Sequence, residues 1–219
     1  MKKLLLIFLL LNSILSYSQE GAFLEPSIGL GITSKKDDYP HEDNQNITSY
    51  NTQLLLGRRK NNWIFNIGLS FFRTGYSTYS PRLIDPLFVN LPYVVVISNV
   101  AIPVKLGYEL HISKKFSVVP SLGSGFTITT KMVSTNEEIP GGGTALSAHI
   151  NTSGLFFNAQ TYVRYQLNSR FAFIAGPAFQ YIPTRLNVDN FSQDYYTLTF
   201  NAGLQYHYII KHAMQKPKK

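Results

Sequence analysis

Tyr196-Thr-Leu-Thr-Phe-Asn-Ala-Gly-Leu-Gln-Tyr-His-Tyr-Ile-Ile210 alternates from end to end. Tyr196, Leu198, Phe200, Ala202, Leu204, Tyr206, Tyr208 and Ile210 fall on one face, and Thr197, Thr199, Asn201, Gly203, Gln205 and His207 on the other. Period two is the mark of a strand with one face against an apolar medium and the other against a polar one. The stretch is much longer than the five or six residues typical of soluble strands and reaches the 9–11 or so that a strand needs to cross a bilayer.

Working outward, seven earlier segments read as strands. Phe157, Ala159, Thr161, Val163, Tyr165 and Leu167 oppose Asn158, Gln160, Tyr162, Arg164 and Gln166. Val100, Ile102, Val104, Leu106 and Tyr108 oppose Asn99, Ala101, Pro103, Lys105, Gly107 and Glu109. The segments Ala22–Thr33, Trp63–Arg73 and Phe116–Thr130 repeat the pattern, whereas Tyr50–Arg59 and Phe171–Ile182 fit less cleanly. Ala172 and Ile174, for example, share a face with Gly176, Ala178 and Gln180. The second face is predicted to be polar or small throughout, with recurrent Gly. Such relief suits the concave side of a narrow barrel, since about eight strands leave room only for side chains.

The connections alternate. Lys60–Asn62, Ile112–Lys115 and Asn168–Arg170 are short, while Ser34–Ser49, Thr74–Pro92, Lys131–Gly154 and Pro183–Asp194 are long. Outer-membrane barrels show this asymmetry between tight periplasmic turns and long outer loops. The predicted fold is therefore all-β: an eight-stranded antiparallel up-and-down transmembrane β-barrel. An even count puts both termini on the periplasmic side. Ten strands are the rival count, if Arg82–Val89 forms a further hairpin arm, but Pro81, Pro86 and Pro92 argue against it. The apolar face is rich in aromatics near strand ends. Trp63, Tyr108, Phe116, Tyr165, Phe171, Tyr206 and Tyr208 lie toward the short turns, and Phe71, Tyr93, Phe157, Tyr181 and Tyr196 toward the long loops, as interfacial girdles require.

The ends and the composition agree with export. Met1-Lys2-Lys3, an apolar run from Leu4 to Leu11 and small residues at Ser16 and Ser18 predict a signal peptide over residues 1–18, cleaved to leave Gln19. The barrel domain then spans 19–210, and 211–219 form a basic periplasmic tail. The chain has no Cys, which excludes disulfides, thiolate metal sites, Cys nucleophiles and a lipid-modified Cys. Its net charge is +8, but the basic residues are scattered over strand ends, loops and tail rather than gathered in a stripe. Anionic lipid headgroups suit them better than nucleic acid.

Three stretches carry a family resemblance. They are Asn99-Val-Ala-Ile-Pro-Val-Lys-Leu-Gly-Tyr-Glu-Leu110, Phe116-Ser-Val-Val-Pro-Ser-Leu-Gly-Ser-Gly-Phe126 after a Lys-Lys turn, and Phe173-Ile-Ala-Gly-Pro-Ala-Phe179. The chain resembles PorT-like small barrels of the outer-membrane β-barrel domain type over about residues 20–210. The resemblance implies the fold, the cell outer membrane and barrel-insertion machinery as a partner. It also implies, as one alternative role, a place in an outer-membrane secretion apparatus. One departure is that Tyr208 is followed by Ile209-Ile210 and a tail, where many barrels end on an aromatic residue.

The lumen charges are the sharpest local signal. Glu25, Arg59, Lys105, Glu109, Arg164 and His207 are all predicted to point inward near the short-turn end. Buried charges must be matched, so they read first as a plug. The alternative is a constriction in a narrow channel for ions or small solutes. Catalysis is not expected. His111 with Ser113, and His149 with Ser147, lack a G-x-S-x-G elbow and an orienting acid at recognisable spacing. No cofactor or metal is expected either, since Asp37, Asp38, His41, Glu42 and Asp43 read as a solvated loop. The expected role is structural or interactive, carried by a filled barrel and its long surface loops, with lipid and other envelope proteins as partners.

Overall fold

The computed structural model describes residues 21–36, 45–84, 87–136, 146–148, 153–185 and 192–208. The predicted signal peptide and basic tail lie outside them, as does the acidic loop at 37–43. Eight long strands follow in order: β1 Ala22–Lys36, β2 Ile47–Lys60, β3 Trp63–Ile84, β4 Leu87–Tyr108, β5 Phe116–Asn136, β6 Ser153–Gln166, β7 Phe171–Arg185 and β8 Ser192–His207. Each pairs antiparallel with its chain neighbours, and β1 pairs with β8 to close the barrel. Two short pieces, Leu110–His111 and Leu146–Ala148, only extend the pairing of β5.

The register fixes the barrel's geometry. A ladder rung that starts at Phe23 runs through Gly57, Asn66, Lys105, Gly123, Asn158, Gln180 and Thr197. It returns to β1 at Thr33, ten residues farther along. A stagger of ten over eight strands corresponds to a tilt of about 40° and a backbone radius of about 8 Å. That interior holds side chains and little else.

The faces follow the alternation. Leu30, Leu122 and Phe200 point outward and are 69%, 71% and 61% exposed, while Thr33, Leu55, Val119 and Gln205 point inward and are fully buried. On the outside, two aromatic rows bracket the apolar belt. Trp63 meets Tyr108 edge-on at 5.1 Å, and Phe171 meets Tyr206 at 5.1 Å, at the turn end. Tyr181 stacks on Tyr196 at 5.1 Å and on Phe157 at 6.3 Å at the other end. Phe171 and Tyr181 are ten residues apart on β7, which at this tilt is about 25 Å along the axis, the height of a barrel's apolar band.

The turn end is built as the short connectors require. Asn61 takes φ 54°, a left-handed conformation that Asn tolerates, between the paired residues Lys60 and Trp63. The Asn168 side-chain oxygen accepts from the backbone N–H groups of Arg170 and Phe171, an Asx-turn.

Two expectations are corrected. Thr74–Pro92 is not a loop: β3 and β4 continue as one hairpin until Ile84 pairs with Leu87. Pro81 and Pro92 do not break it, because β2 pairs with β3 only as far as Phe72, and β4 meets β5 no farther than Tyr93. Past Phe72 a single bridge joins Ser77 to Gln45, and among the described residues neither Pro81 nor Pro92 has a ladder partner on its outer side, so a missing N–H there costs no ladder bond. Arg82–Val89 is thus the tip of this hairpin and adds no strands to the barrel. β5 likewise runs on to Asn136, with a bulge where Ser98 and Asn99 face Lys131 and Thr129.

The interior face is also less uniformly polar than expected. One apolar cluster, including Phe72, Tyr76, Val95, Phe156, Ile182 and Tyr195, fills the lumen toward the hairpin end. A smaller one, Phe23, Ile64, Val119, Tyr162 and Ile174, lies toward the turns. Two inward glycines make this filling fit. A Cβ at Gly57 would land in the ring of Phe23, and one at Gly125 in the ring of Phe156.

Candidate functional site in the lumen

Glu109 is the hub of the turn end. It follows the last residue of β4, its N–H donates to Asn62 O at 2.7 Å, and its side chain is fully buried. Its Oε1 accepts from Ser117 Oγ at 2.6 Å and from Arg164 Nη1 at 3.2 Å. Arg59 Nε lies 3.0 Å from Oε2. That N–H is not aimed at the oxygen, since both atoms lack a hydrogen-bond partner; the contact is therefore an ion pair without a directed hydrogen bond.

Arg164 carries the network onward. Its Nε donates to Gln205 Oε1 at 2.9 Å, Nη2 donates to Gln166 Oε1, and Nη2 lies 3.1 Å from His207 Nε2. Gln205 Nε2 in turn donates to Glu25 Oε2 at 2.6 Å. Through that one amide, carboxylates and guanidinium groups from β1, β2, β6 and the end of β4 form a single connected layer. His207 sits against Phe23 at 5.5 Å between ring centres.

Five of the six residues predicted from the sequence therefore meet in one network: Glu25, Arg59, Glu109, Arg164 and His207. Lys105 does not join them by direct contact. Higher in the lumen, its Nζ donates to Gln53 Oε1 at 2.7 Å and Gln160 Oε1 at 2.9 Å. The sequence reading missed the connecting residues Ser117, Gln205, Gln53 and Gln160. Their signal was their place on the inward face; their partners lie as far as 180 residues away in the chain.

Higher still the layer turns to short polar groups. Ser70 Oγ donates to Asn51 Oδ1 at 2.9 Å, and Thr197 Oγ1 to Thr33 Oγ1 at 3.1 Å. The apolar cluster around Phe72 and Phe156, with ring centres 6.0 Å apart, closes the far side.

The residues weighed for hydrolysis are placed as follows. His111 Nδ1 is 3.8 Å from Glu109 Oε1, an acid that the sequence reading had not paired with it. That distance is too long for a hydrogen bond. Ser113 Oγ accepts from the Lys115 N–H at 3.4 Å, within the turn. His149 lies outside the described residues, and the side chain of Ser147 is not among those described. No group of three or more His, Cys, Asp or Glu able to hold a metal ion is present among the described residues.

A closed antiparallel barrel with an apolar exterior belt, aromatic rows and a packed polar core is an outer-membrane type of fold. No protein family and no curated protein matches the chain, but solved structures do. The outer-membrane protein OprG of Pseudomonas aeruginosa is 12% identical, covering 87% of this chain and 97% of its own, with a TM-score of 0.51. A major outer-membrane protein of Thermus thermophilus is 10% identical, covering 85% of this chain and 99% of its own, also at 0.51. Neisserial surface protein A is 15% identical over 86% of this chain and 100% of its own, at 0.49. At such identities the likeness is one of fold. The chain is a closed eight-stranded up-and-down barrel of the outer-membrane kind.

Proposed function

We propose that this chain is a small PorT-like barrel of the cell outer membrane, with both termini periplasmic and a lumen that does not conduct. Its role is structural or interactive, exercised at the hairpin end, and involves no catalysis. The observation that carries this reading is the double closure of the lumen. Glu109 at one end and Val95 at the other are both completely shielded from solvent. A continuous water column would hydrate both. The apolar belt of about 25 Å supports the membrane placement, and the tight turns on the side where odd strands begin support the orientation. The projecting β3–β4 hairpin, whose arms pair beyond the barrel wall from Tyr79 to Ile84, supports an interaction role at the outer surface.

Two measurements test this. Heat-modifiable mobility of the protein in isolated outer membranes is expected to show a compact band that shifts on boiling. A soluble periplasmic species without a shift overturns the membrane reading. In planar bilayers the folded protein is expected to give no single-channel steps. Stable steps that vanish on Arg164→Ala or Lys105→Ala would replace the filled barrel with a narrow channel whose constriction is the charge network.

A further inference from the structure

The outer face is not evenly covered, and a continuous depression crosses six strands. The rung Leu106–Leu122–Ala159–Phe179–Leu198 is interrupted at Ala159, the single small residue among large ones. The adjacent rung below it offers only the short side chains of Pro120 and Thr161, continued by Pro177. The result is a diagonal groove of about 610 Å³ that begins at Trp63 and Tyr108 in the turn-end aromatic row and ends at Leu198. A second hollow of about 510 Å³ opens from the same saddle, sharing Leu122, Ala159 and Phe179. At the barrel's tilt the first groove rises roughly 15–20 Å, about the thickness of one leaflet.

Its lower mouth carries positive charge. Lys60 pairs with Trp63 across the Asn61 turn and is exposed beside the rim. Asn62 Nδ2 donates to Tyr108 OH at 3.3 Å, which fixes the phenol at the rim. An apolar groove one leaflet tall, entered at an aromatic row beside Lys60, matches an amphiphile with an anionic head and a long aliphatic chain.

We propose that this groove is a binding site for one anionic glycerophospholipid of the periplasmic leaflet. An acyl chain lies over Ala159, and the phosphate sits beside Lys60. The inference rests on the membrane reading above, and its test separates the two. Barrel folded in detergent is incubated with phosphatidylglycerol or phosphatidylcholine of identical acyl chains, and retained lipid is counted by native mass spectrometry. Wild type is expected to keep one phosphatidylglycerol in preference to phosphatidylcholine. Ala159→Phe fills the saddle from the outside and is expected to lower retention about tenfold, the effect of displacing roughly two methylenes of contact. Replacing Lys60 by Gln is expected to equalise the two lipids. A compact, heat-modifiable Ala159→Phe protein that retains lipid like wild type overturns the groove. Equal retention of both lipids by wild type overturns the headgroup site, and no retained lipid by a compact barrel overturns the proposal while leaving the membrane reading intact. Failure of wild type to give a compact band strikes at the membrane reading itself.

Discussion

The two ends of the lumen are closed by opposite means. At the turn end, Glu109 is held by Arg59, Arg164 and Ser117. At the hairpin end, Phe72, Phe156, Ile182 and Tyr195 pack on one another. The difference is one of fragility. An apolar plug loses stability in proportion to the atoms removed. A charged plug tolerates whole-sale replacement better than partial removal, because a lone buried charge has nowhere to go. The charged end is thus the more brittle, although it need not contribute more to stability.

The sharpest way to break this comparison is Glu109→Ala. It strands Arg59 and Arg164 together and is expected to cost about 3–5 kcal/mol. The readout is the urea midpoint at which the compact gel band disappears. Phe156→Ala is expected to cost nearly as much, about 3–4 kcal/mol, through the cavity it leaves beside Phe72. The two differ in rescue. A second change that converts Arg164 to Met in the Glu109→Ala background is expected to recover stability, since it removes one of the uncompensated charges. No single charge change rescues Phe156→Ala. If Arg164→Met worsens Glu109→Ala, the network is not electrostatically coupled as described.

A smaller effect is expected from Gly57→Ala. The added Cβ displaces the Phe23 ring and is expected to cost about 1–3 kcal/mol. Gly21→Ala is no substitute control, because Gly21 has φ 64°; Gly154→Ala is one, since a Cβ there meets only Pro183 O at 3.8 Å. The smallest expected response is to salt. Raising ionic strength to about 1 M shrinks screening lengths to about 3 Å but leaves buried pairs nearly untouched. The urea midpoint of wild type should hardly move; a large drop would mean that the Glu109 pairs are hydrated.

Much of this was legible in the chain. Strict alternation at 196–208 and 157–165 fixes which way each side chain points, so Arg164 and His207 had to face inward once a barrel was inferred. Alternation says nothing about height across strands, however. That Lys105 sits above the other charges depends on the stagger of ten, which emerges only when all eight pairings are known. Interior Phe72 and Phe156 were hidden for a related reason. Each follows or precedes an outward aromatic, Phe71 and Phe157, so the pairs read as apolar runs rather than as one ring in and one ring out. Pro81 and Pro92 misled because their cost depends on whether a neighbouring strand is present, and no local pattern states that.

The closing seam has a consequence for how the molecule comes into being. Seven of the eight strand pairings join segments adjacent in the chain, while the eighth sets Phe23 beside His207. Bringing those ends together carries the largest loop-closure entropy in the molecule. Until the last residues of β8 are delivered, β1 presents a row of unpaired backbone groups that lipid cannot satisfy. Assembly is therefore expected to be all-or-none with respect to length. A chain ending before Ser192 should accumulate as an open, protease-sensitive sheet, and the slow step in folding should be the meeting of the first strand with the last.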